Sequence, residues 1–171
     1  MELKGSNFTL RKWRLTDAQS LQKHADNTNV STFLLDRFPS PYTLANAVDF
    51  IKMKMAEEPI TNFVIEINGE VAGVIGVDMR QDIYRKTPLL GYWVSESHWG
   101  KVIITEAIKL VTAYAFNNLD IICIQACVLS KNPASMRALE KAGYIEQGIL
   151  KQCVIKNNEV FDEHLYAAYK N

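Results

Sequence analysis

The chain has 171 residues and a mass of 19.4 kDa, enough to bury a sizeable core, so we predict a single domain over residues 1–171. Basic and acidic residues both number 19, which leaves no basic excess of the kind that nucleic-acid binding needs. No stretch approaches the roughly 20 apolar residues that span a bilayer, and the amino-terminal residues lack the apolar core of a signal peptide. We therefore expect a cytoplasmic protein with neither a nucleic-acid nor a membrane partner.

The first third of the chain predicts one strand and two helices. Residues 8–15 alternate in polarity as a strand does, and Thr16 with Asp17 can cap a helix over 18–27. Two prolines in 36–42 enforce a loop. Thr43 can then cap a second helix, which should end at Glu58 and Pro59.

Residues 62–79 give the clearest local signal in the chain, a β-hairpin. Apolar side chains alternate along the first strand, and Val71 to Met79 forms the returning partner. Between them, Asn68 and Gly69 are the residue pair most typical of a tight two-residue turn.

The second half predicts alternating strands and helices and closes on two strands. The elements are a strand at 88–94, a helix at 105–119, a strand at 121–128, a helix from Asn132 to a stop at Gly143, and strands at 145–155 and 159–168. The complete order is strand, two helices, three strands, helix, strand, helix and two strands. This order predicts an α/β (α+β) fold, a mixed twisted sheet with helices on both faces.

The three cysteines are predicted to be free and buried. Cys123 and Cys127 lie roughly 13 Å apart along one strand at about 3.3 Å per residue, too far for a disulfide, whose Cα atoms lie within about 7 Å. Cys153 is isolated in the sequence. The histidines show no metal-ligand spacing, so we assign no metal to His24, His98 and His164.

The stretch SESHWGKVIITEAIKL, residues 95–110, leads into a predicted helix through three β-branched residues, Val102 to Ile104. A helix start offers free N–H groups and a partial positive charge, which together bind anions. The pattern leaves two interpretations open. This is either the entrance to a phosphate-binding helix or a buried strand end that runs into a core helix.

Two motifs in this order, GYWVSESHWGKVIITEAIKLV and then NPASMRALEKAGY, resemble those of the GCN5-related N-acetyltransferases. The likeness covers nearly the whole chain, and it is strongest to the branch of the ribosomal-protein (RimJ/RimL-type) and spermidine acetyltransferases. It implies acetyl-CoA as co-substrate and no metal. The implied partner is a small-molecule or peptide amine, such as a protein N-terminus, a polyamine or another small amine. A homodimer is compatible with the sequence.

The resemblance also implies a cofactor site. In the family, the turn that matches 99–104 holds the pyrophosphate and carries Gly at the position of Val102 and Gly or Ala at that of Ile104. A Val that needed positive φ would be strained, and branched side chains would hinder the phosphates. The strand before the turn leaves its backbone free for the pantetheine arm. The implied cofactor-binding residues are Trp93, Val94, Trp99, Gly100, Lys101, Val102, Ile103, Ile104, Thr105, Asn132 and Ser135.

The implied reaction is direct attack of a neutral amine on the thioester, which needs a base for the amine and an acid for the thiolate. Other branches of the family use a Tyr as that acid, but Leu139 occupies the position here, so Ser135 is the implied acid. Glu163 is the predicted base, with Asp162 and Glu66 as alternatives, each acting through water. A second class of function remains open: a catalytically degenerate acetyltransferase-fold domain that binds a small molecule or a protein.

Overall fold

The computed structural model describes residues 1–170 and contains one eight-stranded sheet with helices on both faces. The strands are β1 (Glu2–Lys4), β2 (Thr9–Arg11), β3 (Asn62–Ile67), β4 (Glu70–Asp78), β5 (Leu89–Val94), β6 (Cys123–Leu129), β7 (Ile145–Lys156) and β8 (Glu159–Tyr169). The helices are α1 (Ala18–Ala25), α2 (Thr28–Ser31), α3 (Leu44–Met55), α4 (Ile103–Asn118) and α5 (Pro133–Lys141). The predicted mixed sheet with helices on both faces is confirmed.

The sheet order is β1-β2-β3-β4-β5-β6-β8-β7, and every neighbouring pair is antiparallel except β5 and β6. These two parallel strands share a single register pair, Leu89 with Gln125. Beyond it, β5 continues beside β4 as far as Val94, and β6 continues beside β8 as far as Leu129. A gap therefore opens between β5 and β6 in the middle of the sheet.

Two apolar clusters cover the two faces of the sheet. Helices α4 and α5 cover one face, where the fully buried side chains include Phe63, Ile75, Ile108, Ile124 and Leu139. Helices α1 and α3 cover the other face over Val64 and Val74. Within residues 1–170, the apolar cluster under α1 and α3 includes no residue of β6, β8 or β7, so no helix covers that part of the face.

The predicted cap at Thr43, the hairpin turn at Asn68 and Gly69 and the helix stop at Gly143 are confirmed. The Thr43 hydroxyl accepts from the backbone N–H of Asn46 at 3.1 Å, and the Asn46 carboxamide oxygen accepts from the N–H of Thr43 at 2.9 Å. At the hairpin turn, Asn68 and Gly69 take positive φ values of 52° and 82°. Gly143, predicted to stop α5, has a φ of 94°.

The predicted strand over 8–15 is wrong in its extent. It ends at Arg11, and a 3-10 turn over Leu15–Asp17 follows. The cause is Asp17, whose carboxylate accepts two 2.8 Å hydrogen bonds from Arg11 and one of 2.9 Å from the N–H of Arg14. Asp17 therefore ties the strand to the turn, and its side chain does not cap α1.

The structure also adds two short elements and moves the start of one helix. The sheet gains β1, which pairs with β2 through a hairpin that the sequence analysis missed. A single-turn helix, α2, follows α1 and is capped by Asn27, which accepts from the N–H of Asn29 at 2.9 Å. Helix α4 begins at Ile103, two residues before the predicted start.

The cysteines are free, but the expectation that all three are buried is wrong. Cys123 is buried, whereas Cys127 and Cys153 are exposed. Cys127 lies on the face of β6 that no helix covers, and Cys153 lies where the register of edge strand β7 shifts, between Leu150 and Val154. Within residues 1–170 there is no helix long and apolar enough to cross a membrane, and no group of three or more potential metal ligands.

Candidate active site

The start of α4 resolves the ambiguity of the β-branched run. Val102 is the N-cap residue, is 73% exposed and has an ordinary φ of −72°. Gly100 takes the left-handed conformation of this turn, with a φ of 73°. The strain expected from a Val in a positive-φ position is therefore absent. Ile103 is buried in the core and Ile104 packs partly against it. Val102 is therefore exposed to solvent, while the two isoleucines attach the helix to the core.

The backbone of this turn presents unused donors. Within the described chain, the N–H groups from Gly100 to Thr105 donate to no protein acceptor, and Val102 has no side chain able to cap them. They stand at the positive end of a 16-residue helix. Lys101 lies beside them, its Nζ donating to the Ser97 carbonyl at 3.3 Å. The turn therefore has the donors and the positive potential that bind an anion.

An open pocket of about 500 Å³ lies between the first turn of α4 and the β1–β2 connection. Glu106 holds the two walls together, because its carboxylate accepts from the N–H and the hydroxyl of Ser6 at 3.0 and 2.9 Å. Thr105, Lys101 and Lys109 also line the pocket. The helix start is thus fixed in place while its donors stay accessible.

The register of β5 determines which backbone groups face the gap. The N–H of Ser95 donates to Ala72 at 2.7 Å, so the neighbouring pair of Val94 with Gly73 is not hydrogen-bonded across β4. The N–H and C=O of Val94, and by the same alternation those of Tyr92, therefore point into the gap. Trp93 directs its backbone groups to β4.

Trp93 belongs instead to the face that α1 and α3 cover. Its side chain is half-buried and meets Phe38 edge to face, with ring centroids 5.9 Å apart. Of the two β5 residues predicted to hold the cofactor, Val94 has its backbone in the gap, and Trp93 contributes an aromatic wall on the opposite face. Both roles toward a cofactor stay predictions.

Ser135 lies in the first turn of α5 and contacts β5 across the gap. Its hydroxyl is 2.6 Å from the Tyr92 hydroxyl. Burial raises the pKa of Tyr92 to about 12, against a smaller opposing effect of the hydrogen bond with Ser135, so the phenol keeps its proton at neutral pH. Leu139 is fully buried. Tyr92 and Ser135 therefore form a pair of hydrogen-bonded hydroxyl groups beside the gap.

Sequence reasoning missed the side chain of Tyr92. The strand was expected to offer only its backbone, with Tyr92 as a core aromatic. Tyr92 does pack against the core, yet its hydroxyl also reaches Ser135, 43 residues away. No local pattern signals a contact at that separation.

Asn132 caps α5, its carboxamide oxygen accepting from the N–H of Ser135 at 3.4 Å. This role positions the first turn that carries Ser135, next to the end of β6. A contact between Asn132 and a cofactor stays a prediction.

Glu163 lies on the other face of the sheet, opposite Leu129 at the end of β6. Its strand alternates, and because Tyr166 packs under α4 and α5, odd-numbered Glu163 faces away from them. Within residues 1–170 no Lys, Arg or His forms an ion pair with it. Desolvation, followed by the adjacent Glu163 carboxylate, raises the pKa of the Cys127 thiol to about 11.

The two alternative bases are already engaged. Glu66 pairs with the buried guanidinium of Arg11. Asp162 accepts from the N–H of Gln152 at 2.9 Å and from Lys151 at 3.0 Å, which holds the irregular part of β7 and lowers the pKa of Asp162. Of these three carboxylates, Glu163 is thus the one that forms no ion pair in the described chain.

A central gap in a mixed sheet, open to free amides at a helix start, matches a known protein class. The sequence fits the family model described as acetyltransferase (GNAT) domain over residues 7–145. The chain belongs to the GNAT family and is an acyltransferase, so the resemblance carried by the two motifs is confirmed. The matched segment ends before β8 and therefore before Glu163.

Similar proteins agree with this assignment. The chain is 30% identical to the probable N-acetyltransferase YjcK of Bacillus subtilis over 99% of its own length and 97% of that protein. It is 35% identical to the ribosomal-protein-serine acetyltransferase of Escherichia coli, over 61% of this chain and 58% of the other. A crystal structure of RimL, a ribosomal alpha-N-protein acetyltransferase in complex with coenzyme A, superposes with a TM-score of 0.86 at 18% identity, covering 99% of this chain and 98% of RimL.

Proposed function

We propose that the protein transfers the acetyl group of acetyl-CoA to a primary amine, and that the amine is the N-terminus of a protein. The observation that supports the use of acetyl-CoA is the gap between β5 and β6, into which Val94 and Tyr92 direct backbone groups. The gap lies next to the uncapped amides of Gly100 to Thr105. A long ligand with amides at one end and phosphates at the other suits these two features together.

The residues present fit this co-substrate. The amides at the start of α4 would hold the pyrophosphate, and the backbone of β5 would hold the pantetheine arm. Acetyl-CoA supplies an activated acetyl thioester. The structure therefore supports binding through backbone donors, which the β-branched residues at 102 and 104 do not remove.

The proposed acid and base lie on opposite faces of the sheet. Ser135 gives a proton to the departing thiolate and takes one from Tyr92 through their 2.6 Å hydrogen bond. Solvent then returns a proton to Tyr92, whose phenol is protonated at neutral pH. Glu163, which lies on the opposite face, takes the proton of the attacking amine through water and releases it to solvent before the next turnover. The acceptor would approach across that face, where a folded partner can present a chain end.

The choice of a protein N-terminus rests on the relatives. The Escherichia coli relative acts on a ribosomal protein serine, and RimL is an alpha-N-protein acetyltransferase. We therefore place the protein N-terminus before polyamines.

The test has two parts. Coenzyme A at a hundred times its dissociation constant should raise the free energy of unfolding by about 2.7 kcal/mol. Acetyl-CoA should then acetylate peptides with a free N-terminal amine, whereas the same peptides with blocked N-termini should not react. Faster turnover of spermidine than of any free-N-terminus peptide would overturn the choice of acceptor. Cofactor binding without turnover of any amine would favour the degenerate binding domain.

A further inference from the structure

The indole of Trp99 lies at the mouth of the gap between β5 and β6. Its Nε1–H donates to the Val94 carbonyl at 2.9 Å. Trp99 is 48% exposed, so the ring reaches this carbonyl from the surface and is not held in the core. Gly100, with its φ of 73°, follows immediately and leads the chain into α4.

The Val94 carbonyl is not an ordinary loop acceptor. Val94 is the last residue of β5, and two hydrogen bonds fix the direction of its backbone groups. Ser95 donates to Ala72 on the β4 side, and Gln125 donates to Pro88 on the β6 side. Because directions alternate along a strand, Val94 shares its direction with Pro88 and points into the gap. Without Trp99, this carbonyl would have no partner within the described chain.

We propose that Trp99 is a gate on the cofactor site, a role that rests on the proposed function. Its indole N–H satisfies the Val94 carbonyl in the free protein. An amide N–H of the pantetheine arm takes the same carbonyl when coenzyme A binds, so the indole moves away. Trp99 therefore competes with the cofactor for one acceptor, and it lowers affinity for the arm without touching the phosphates.

Replacing Trp99 with phenylalanine tests the contribution of the indole N–H apart from that of the aromatic ring. Trp99→Phe keeps an aromatic side chain but has no donor, so the Val94 carbonyl is free for the ligand. A net hydrogen bond changes an equilibrium by about two- to tenfold. Calorimetric titration should therefore show coenzyme A binding to Trp99→Phe about two- to tenfold more tightly than to the wild type.

Adenosine 3′,5′-bisphosphate is the matched ligand control, because it resembles the nucleotide end of coenzyme A and has no pantetheine arm. Its affinity should be the same for the wild type and for Trp99→Phe. Equal or weaker coenzyme A binding by the variant, at an unchanged thermal unfolding temperature, would overturn the gate. A gain shared by both ligands would also overturn it, because the effect would then not involve the arm.

Tryptophan fluorescence gives a second readout. Trp13 is buried and Trp93 is half-buried, whereas Trp99 is the most exposed of the three. Displacement of Trp99 into water should shift the emission to longer wavelength on addition of coenzyme A, and Trp99→Phe should lose the shift. A shift to shorter wavelength would instead show the ring packing on the ligand. If neither protein binds coenzyme A by calorimetry, the proposed function fails, and the gate fails with it.

Discussion

Tyr92 and Ser135 join β5 to α5 across the central gap through hydroxyl groups 2.6 Å apart. Ser135→Ala should lower kcat by about 100-fold, the lower end of what a general acid contributes. The measurement is kcat with saturating acetyl-CoA, together with the dissociation constant of coenzyme A, which should change little. A large loss of coenzyme A affinity with unchanged kcat would contradict the acid role.

The same pair gives a coupling prediction. Tyr92→Phe should lower kcat by less than Ser135→Ala, because Tyr92 acts only through Ser135. The double variant should be no slower than Ser135→Ala alone, since residues that act in one chain are not additive. Steady-state kinetics on the three variants provides the test. Losses that multiply in the double variant would show that the two hydroxyls act independently.

Val102→Gly should strengthen coenzyme A binding, because the exposed Val102 side chain stands beside the free amides and Gly leaves them open. The change should alter stability by less than about 1 kcal/mol, because the entropy that Gly adds to the unfolded chain opposes its advantage over Val as an N-cap residue. Ile104→Ala is the matched variant for comparing the loss of stability. Ile104 packs against the core, so its loss should cost roughly 1 kcal/mol or more. Calorimetric titration that shows weaker binding by Val102→Gly would mean that the valine contributes to the site.

Asp17→Ala should destabilise the fold by about 3 kcal/mol, because it leaves the buried guanidinium of Arg11 with Glu66 and the Lys12 carbonyl as its recorded acceptors. The hydrogen bond to Asp17 is the first cause of the raised pKa of Arg11, so the pair is strongly coupled. Glu70→Ala is the surface control. It removes the partner of exposed Lys23 and should cost less than about 1 kcal/mol. Urea unfolding that gives equal losses for both variants would contradict this difference.

Thiol labelling should distinguish the three cysteines. Denatured, non-reduced protein should yield three thiols, because all three are free. In the native protein at pH 8, Cys153 should react first, because Cys123 is buried and both Cys123 and Cys127 have raised pKa values. With its pKa near 11, Cys127 should react faster as the pH rises toward that value, since the thiolate is the reactive form. Rapid labelling of Cys127 at pH 8 would refute this order.

Local chemistry made the caps and turns predictable. Thr43, Asn68, Gly69 and Gly143 each determine the conformation of their own neighbourhood, and the structure agrees with the sequence at each. Arg11 and Asp17 show where this reasoning stops. Their contact is a side-chain interaction that ends a strand early, and the alternation of apolar residues gives no sign of it.

The candidate site divides in the same way. The start of α4, to within two residues, and the cap at Asn132 follow from sequence motifs. The partner of Ser135, the direction of the Val94 carbonyl and the indole contact of Trp99 depend on strand register and on the path of the β5–α4 loop. Register is a property of the assembled sheet, so these features could be found only in three dimensions.

The single register pair between β5 and β6 has a mechanical consequence. The sheet is two half-sheets, β1 to β5 and β6 to β8, and the main-chain hydrogen bonds recorded between them lie at one end of the junction, where Ile122 and Gln125 donate to Lys86 and Pro88. A side chain strengthens that same end, because Arg80 donates to Gln125 at 2.8 Å. An extended ligand in the gap would serve as a ninth strand and supply the missing main-chain partners. The rigidity of the whole molecule would then be a property of the complex more than of the free chain.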